Sequence, residues 1–177
     1  MVSVRYLDTM GEFLIISLHK PTMNIGDKAP DFELVDSDLK PVKSSSMLGH
    51  PAVLAFFPGA FTSVCTKELC TFRDAMASFN RIKAQVYGIS VDQPFSLAQF
   101  KKENNLNFPL LSDFTESVSR AYGGVHENAF NINGLTVSKR AVFVLDKNGK
   151  ITYKWVSENP GKEPNYKEVE EAVAKLG

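Results

Sequence analysis

The two cysteines of the chain lie five positions apart, in the segment PGAFTSVCTKELC at residues 58–70. Two thiols this close in sequence can form a disulfide, ligate a metal ion or supply a reactive nucleophile with a partner. The segment follows an apolar run and begins with Pro58 and Gly59, which favour a turn. The secondary structure predicted around the segment distinguishes among these three interpretations.

A helix is predicted from about Thr62 to Ile82, and its geometry separates the two thiols. At about 100° per residue, Cys65 falls in an apolar stripe with Leu69, Phe72, Met76 and Phe79. Cys70 falls about 140° away, on the polar side with Thr66, Asp74, Ala77 and Arg81. The two Cα atoms would lie about 8–9 Å apart, beyond the roughly 7 Å limit for a bridge. A permanent disulfide is therefore incompatible with an intact helix.

A metal site is the weakest of the three interpretations. Structural zinc takes four ligands, commonly beginning with cysteines two to four residues apart. Here the spacing differs, and the only histidines that could assist are His19, His50 and His126. The spacing also departs from the C-x-x-C redox pair, and the phosphate-binding patterns GxGxxG and GxxxxGK are absent from the sequence. We therefore expect neither a metal nor a cofactor.

The reactive-thiol interpretation has a physical basis in the predicted position of Cys65. A cysteine in the first turn of a helix lies beside free backbone N–H groups and the positive end of the helix dipole. Both favour the thiolate, which is the nucleophilic form. Thr62 offers a hydroxyl in the same turn. First-turn cysteines can also be inert core residues, so the residues alone leave both interpretations open.

The elements that position this segment alternate along the chain. Strands are predicted at DFELVD, PAVLAFF, AQVYGISV and FPLLSD, and the unbroken apolar run PAVLAFF is typical of a strand buried on both faces. Helices are predicted at PFSLAQFKKENN, ESVSRAYGG and NYKEVEEAVAKL. RAVFVLD and ITYKWVS flank the turn DKNG as a hairpin, whereas VHENAFNINGLTVS is predicted as a loop. This pattern predicts one α/β domain, with a central mixed β-sheet flanked by helices.

The composition of the chain limits the kinds of partner that it can be expected to bind. Its 177 residues suit one domain, and 20 basic and 20 acidic residues give a formal net charge of zero. The sequence holds no basic run that would favour nucleic acid and no apolar stretch near the roughly 20 residues of a membrane helix. Asp8 and Glu12 precede the short apolar run FLIISL, where a signal peptide would be basic, so we expect a cytoplasmic protein. Residues 1–22 are expected to be an N-terminal extension, and residues 23–177 the domain.

The pattern Pro58-x-x-x-Thr62-x-x-Cys65 resembles the active-site signature of the peroxiredoxins. GDKAPDFEL, QVYGISVD, FPLLSD and KRAVFVLDKNGKI are similar to further elements of that family, so the resemblance covers about residues 23–177. Thr66, where many members have proline, and Cys70 resemble the bacterioferritin comigratory protein branch. The stretch from FPLLSDF through GGVHENAF is also similar to the alkyl hydroperoxide reductase E type. The resemblance implies a thioredoxin-like fold and thiol-dependent peroxidase activity.

The resemblance also implies a role for each matching residue. Cys65 would be the peroxidatic nucleophile, which attacks hydrogen peroxide or an organic hydroperoxide and becomes a sulfenic acid. Thr62 would hydrogen-bond the peroxide and Cys65, and Pro58 would shield the sulfur from water. Arg140 would stabilise the thiolate and polarise the O–O bond. Glu68 occupies the position of a Glu or Gln that helps to orient the arginine.

Cys70 would be the resolving thiol, forming an intramolecular disulfide with the Cys65 sulfenic acid once the first helical turn unwinds. The alternative is that Cys70 is incidental and that an external thiol resolves Cys65. A third hypothesis is a thioredoxin-fold binding module without catalysis, against which the joint presence of Pro58, Thr62, Cys65 and Arg140 argues.

The resemblance implies a thioredoxin-like protein or another thiol as the reductant, and either a monomer or a homodimer. Four apolar residues are expected at the rim of the site, where they would favour organic hydroperoxides. They are Phe57, Phe61, Val64 and Phe130.

Overall fold

The computed structural model describes residues 3–7, 13–17 and 23–177. The first two segments are strands β1 (Ser3–Leu7) and β2 (Phe13–Ser17), which pair as an antiparallel hairpin. The rest of the expected extension at residues 1–22 lies outside the described residues. The division between residues 22 and 23 therefore stays a prediction.

The other strands and the four α-helices follow in chain order. The strands are β3 (Glu33–Asp36), β4 (Pro41–Lys43), β5 (Ala52–Phe56), β6 (Gln85–Ser90), β7 (Leu110–Ser112), β8 (Val125–His126), β9 (Val137–Ser138), β10 (Ala141–Leu145) and β11 (Ile151–Val156). The helices are α1 (Ser63–Arg81), α2 (Pro94–Glu103), α3 (Ser117–Ala121) and α4 (Tyr166–Ala174).

Seven strands form one mixed sheet in the order β11–β10–β5–β6–β7–β3–β4. Strands β5, β6 and β7 run parallel, whereas β10 and β3 run antiparallel to their neighbours β5 and β7. This arrangement confirms the predicted α/β class with a central mixed sheet. The predicted β10–β11 hairpin also forms, while the short edge strand β4 was not predicted.

Strand β5 lies in the middle of the sheet, and all five of its residues are buried. Successive side chains of a strand point to opposite faces. Val53 and Ala55 pack in the half of the core that contains residues of α1, α2 and α4. Leu54 and Phe56 pack in the half that contains residues of α3. Because both faces are covered, the strand shows no alternation of polar and apolar residues, as the sequence predicted.

Helix α1 begins and ends within one residue of the predicted bounds. The predicted apolar stripe is buried against the sheet, and its members are Cys65, Leu69, Phe72, Met76 and Phe79. The amphipathic α4 packs in the same half of the core through Val169 and Val173. Periodicity at 3.6 residues therefore gave both the extent and the orientation of these helices.

The segment at residues 125–138 differs from the predicted loop. Its ends pair as the two-residue strands β8 and β9, and a 3-10 turn at Ala129–Asn131 lies between them. Strands of two residues are too short for alternation to be recognised in a sequence. None of the helices in the described residues is long and apolar enough to cross a membrane.

Gly88 allows β6 to pack closely beside β7. A Cβ atom at this position would lie 2.6 Å from Leu110 Cδ2 and 3.4 Å from Phe57 Cε1. Both neighbours are fully buried, so we expect Gly88→Ala to lower the free energy of unfolding by about 1–3 kcal/mol. The measurement is urea denaturation followed by circular dichroism, with the slope m checked for constancy.

Gly59→Ala is the matched control, because its Cβ would meet no atom closer than 3.9 Å. We expect its free energy of unfolding to stay within about 0.5 kcal/mol of the parent. Equal stability losses in the two variants would contradict the close-packing explanation.

Candidate active site

The loop that leaves β5 is held in place by Asp92, which follows β6. Asp92 Oδ2 accepts hydrogen bonds from the Ala60 backbone N–H and the Ser90 hydroxyl, both at 2.8 Å. Phe61, which follows Ala60, has a left-handed backbone with φ of 62°. This conformation is unfavourable for a residue with a side chain and persists where surrounding contacts fix it. The Asp92 bond and the edge-to-face contact of Phe61 with Phe100, with ring centroids 5.2 Å apart, provide those contacts.

Cys65 occupies the first turn of α1. The Thr66 N–H donates to the Thr62 carbonyl at 2.9 Å, so the N–H groups of residues 63–65 precede the first helical hydrogen bond. The Cys65 side chain faces the core and is 0% exposed. The sulfur therefore lies beside free backbone donors, as the reactive-thiol hypothesis requires, and it is shielded from water.

Arg140 brings a positive charge to this sulfur from a distant part of the chain. In the antiparallel pairing of β10 with β5, Ala141 is opposite Phe56, so the residue before β10 lies at the carboxyl end of β5. Arg140 Nη2 is 3.4 Å from Cys65 Sγ. The guanidinium also donates twice to the Pro160 carbonyl, at 2.7 Å from Nη2 and 3.2 Å from Nε. It is 1% exposed, so these contacts replace water around the charge.

Glu68 completes a buried cluster with Cys65 and Arg140. It lies one helical turn after Cys65 and is 0% exposed. Arg140 Nη1 donates to Glu68 Oε2. Burial raises the pKa of Glu68 to about 7, although the charge and hydrogen bond of Arg140 act in the opposite direction. Among the described residues, Glu68 Oε1 has no hydrogen-bond partner.

Thr62 and Pro58 belong to the segment that leads from β5 into α1. Thr62 is the N-cap residue, but its hydroxyl donates to the Gly59 carbonyl at 3.1 Å and accepts no hydrogen bond from a helical amide. Pro58 is buried. The expected hydrogen bond from Thr62 to Cys65 does not occur among the hydrogen bonds of the described residues, so the substrate-binding role of Thr62 stays a prediction.

Cys70 lies on the other side of α1 and is half-buried. Its sulfur is 3.9 Å from Asn104 Oδ1, at the end of α2. The side chain of Arg73, one turn further on, donates to the Asn104 carbonyl at 2.7 Å. Cys70 therefore points away from Cys65, as predicted. Its contact with the end of α2 makes the thiol less accessible to solvent than the predicted position on the polar side indicated. Both thiols are free, and α1 is continuous from one to the other.

The expected apolar rim is only partly formed. Phe61 and Phe130 are 54% and 56% exposed and Val64 is half-buried. The prediction for Phe57 is wrong, because its side chain is 0% exposed and belongs to the core. Phe57 continues the alternation of β5 one residue beyond the strand, so its side chain points inward.

Two groups that contribute to the site were missed by the sequence reasoning. The carbonyl of Pro160 anchors Arg140, and the carboxylate of Asp92 fixes the loop before Cys65. A backbone carbonyl leaves no signal in a sequence. Asp92 does have one, since it is a carboxylate directly after a predicted parallel strand at the functional edge of the sheet. In the described part of the chain, no group of three or more His, Cys, Asp or Glu residues could hold a metal ion.

Comparison with known proteins places this arrangement in a family. The AhpC/TSA family model matches residues 25–154. A protein of Mycobacterium tuberculosis strain H37Rv named as a peroxiredoxin is 41% identical over 128 residues, which cover 71% of this chain and 80% of that protein. The chain belongs to the AhpC/TSA family of peroxiredoxins. It is therefore a peroxidase of the oxidoreductase class.

Two further relatives indicate the branch of this peroxiredoxin. Chloroplastic peroxiredoxin Q of Oryza sativa subsp. japonica is 41% identical over 128 residues, covering 72% of this chain and 57% of that protein. The crystal structure of peroxidoxin BcpB from Mycobacterium tuberculosis superimposes with a TM-score of 0.74 at 34% identity, covering 87% of this chain and 96% of that one. These likenesses confirm the thioredoxin-like fold and agree with the resemblance to bacterioferritin comigratory proteins.

Replacing Arg140 should slow the reaction of this peroxiredoxin with peroxide. Arg140→Met removes the charge beside Cys65 Sγ, so we expect the second-order rate constant with hydrogen peroxide to fall by about 10²–10³-fold. Stopped-flow kinetics of the reduced protein give this rate constant. Arg120→Met, which removes a half-exposed arginine paired with Glu116, is the control and should react at the parental rate. A parental rate in Arg140→Met would contradict the assigned contact.

Asp92 offers a separate test of how the loop positions Cys65. Asp92→Ala removes the acceptor for the Ala60 N–H, and we expect a fall of about 10-fold to 100-fold in the same rate constant through misplacement of the loop. Asp92→Asn retains an acceptor oxygen and should lose less. Equal losses in both variants would show that the charge of Asp92 matters and not its hydrogen bond to the loop.

Proposed function

We propose that this peroxiredoxin reduces hydrogen peroxide and organic hydroperoxides through a sulfenic acid on Cys65, which Cys70 then resolves as an intramolecular disulfide. The observation that carries this proposal is the contact between Arg140 and Cys65 Sγ inside a cluster without solvent exposure. A guanidinium in such surroundings stabilises a neighbouring thiolate more strongly than it would in water.

The chemical step follows from the charges at the site. The Cys65 thiolate attacks the terminal oxygen of the peroxide, so an S–O bond forms while the O–O bond breaks. Negative charge moves from the sulfur through both oxygens to the leaving alkoxide. Arg140 is fixed by Glu68 and Pro160 before the substrate arrives, so it stabilises this charge without reorganisation.

The surroundings of the cluster bear on the substrate. Cys65 is 0% exposed, so the peroxide group of a substrate can reach the sulfur only after a local movement of the surrounding residues. A cavity of about 240 Å³ adjoins the Arg140 anchor and is lined in part by Phe130, Val137 and Pro160. Polar residues also line this cavity, namely His126, Glu127, Asn128 and Asn131. The exposed side chains of Phe61 and Phe130 are the groups that support the inclusion of organic hydroperoxides.

Cys70 supports the resolving step because it is the only other thiol in the sequence. The distance argument against a disulfide applies while α1 is intact, and the site thus requires the first turn to unwind. The reductant proposed for the resulting disulfide is a thioredoxin-like protein, since the disulfide would form between two cysteines that become exposed together. An external thiol acting directly on Cys65 is the competing proposal.

The test is a stopped-flow reaction of the reduced protein with one equivalent of hydrogen peroxide, followed by intact-mass measurement. The proposal predicts rapid consumption of peroxide and a product that has lost two hydrogens. Cys65→Ser should abolish rapid consumption. A rate no faster than that of a free thiol would favour a binding module without catalysis.

Cys70→Ser separates the two resolving mechanisms. Its Cys65 environment is unchanged, so we expect the first turnover to stay fast while the product gains one oxygen in place of losing two hydrogens. Ser78→Ala, on the exposed side of the same helix, is the control and should behave as the parent. If the parent itself gains one oxygen and forms no disulfide, Cys70 is incidental and an external thiol is the resolving group.

A further inference from the structure

The cluster around Cys65 contains two groups that can carry a negative charge and one that carries a positive charge. Cys65 and Glu68 are both 0% exposed, and Arg140 is 1% exposed. The guanidinium contacts both acidic groups at once, with Nη2 against Cys65 Sγ and Nη1 against Glu68 Oε2. A single cation can balance one anion, and an unbalanced buried charge is strongly destabilising.

In the part of the chain that the structure describes, the titratable groups that act on this cluster do not supply a second unpaired positive charge. Two other titratable groups interact with Glu68. The charge of Glu163, which precedes α4, acts on Glu68, and the charge of Glu68 acts on Tyr166, the first residue of α4. Glu163 accepts hydrogen bonds from Lys67 Nζ and from the Tyr166 hydroxyl, both at 2.7 Å. The Lys67 charge is thus paired with Glu163, and the Glu163 charge disfavours a further anion at Glu68.

The unpartnered oxygen of Glu68 shows where a proton can reside. Arg140 occupies Oε2, whereas Oε1 is buried and has no hydrogen-bond partner in the described residues. A carboxylate in this position leaves one oxygen without solvation, which a proton relieves by removing the charge. The raised pKa of Glu68, caused chiefly by burial, agrees with this geometry.

From this arrangement we infer that Cys65 and Glu68 share one proton, so that Glu68 is a carboxylic acid whenever Cys65 is a thiolate. The inference rests on the proposed function and goes beyond it by assigning Glu68 a proton-holding role. When the thiolate forms, the S–H bond breaks, its electron pair stays on the sulfur, and the proton resides on Glu68 Oε1. The cluster then holds one anion and one cation.

The cluster also holds one anion and one cation after the reaction with peroxide. The sulfur gives two electrons to the peroxide, keeps an OH group as neutral sulfenic acid and loses its negative charge. The leaving alkoxide takes up one proton, and Glu68 releases one. Glu68 becomes the single anion opposite Arg140, so the buried cluster never carries two negative charges.

Infrared difference spectroscopy tests this directly. The Cys70→Ser protein, which stops at the sulfenic acid, is measured before and after one equivalent of hydrogen peroxide at neutral pH. We expect the loss of a carbonyl band of a protonated carboxylic acid and the gain of carboxylate bands. The lost band should be absent in Cys70→Ser/Glu68→Gln, which retains the shape of the side chain, and should return with Glu68→Asp in the same background.

Glu163→Gln in the Cys70→Ser background is the matched control, because Glu163 is a neighbouring carboxylate outside the cluster. The band should persist there. The inference is overturned if peroxide is consumed rapidly but no carboxylic acid band is lost, or if the band survives Glu68→Gln. Alkylation of Cys65 with iodoacetamide also removes the charge on sulfur and must give the same band loss. Alkylation tests proton sharing without peroxide. A failure of the peroxidase proposal can therefore be distinguished from a failure of the proton-sharing inference.

Discussion

The burial of Arg140 is the constraint on which the site depends. A guanidinium with 1% exposure is tolerated only if its donors find acceptors within the protein. Those acceptors come from two separate parts of the chain, namely Glu68 and Cys65 in α1 and the Pro160 carbonyl after β11. Any shift of α1 relative to β10 would leave a buried charge unpaired. The guanidinium thus fixes the sulfur as firmly as the apolar stripe of α1 does.

The same contacts create a conflict that the chemistry resolves. An intact α1 holds Cys65 and Glu68 against Arg140, whereas a disulfide between Cys65 and Cys70 requires its first turn to unwind. Oxidation changes the balance, because a neutral sulfenic acid attracts the guanidinium less than a thiolate does. The turn is also terminal, and its first N–H groups have no helical acceptor to lose. In the proposed mechanism, oxidation of the sulfur would therefore weaken the interaction that keeps the two thiols apart.

Much of this arrangement was predictable from local sequence. The two-sided burial of β5, the bounds of α1 and the inward direction of Cys65 all follow from hydrophobic periodicity over 7 to 20 residues, about the length of one element. The loop before Cys65 was not predictable at the same level. The left-handed Phe61 and its support by Asp92 depend on the position of β6. Phe57 was expected at the rim although it ends the predicted strand PAVLAFF, and its side chain continues the inward alternation of Val53 and Ala55.

The contact between Arg140 and Cys65 spans 75 positions of sequence, and no periodicity reports it. Considered alone, Cys65 is a first-turn cysteine that could equally be inert. Arg140 considered alone is only an arginine at the end of a strand. The resemblance to a family joined these residues, and the antiparallel register of β10 with β5 explains why they meet. A cysteine in the first turn of a helix is common. In the proposed mechanism, what distinguishes this one is a cation whose position is set by a different strand, so the proposed reactivity of Cys65 depends on the sheet topology as much as on its own helix.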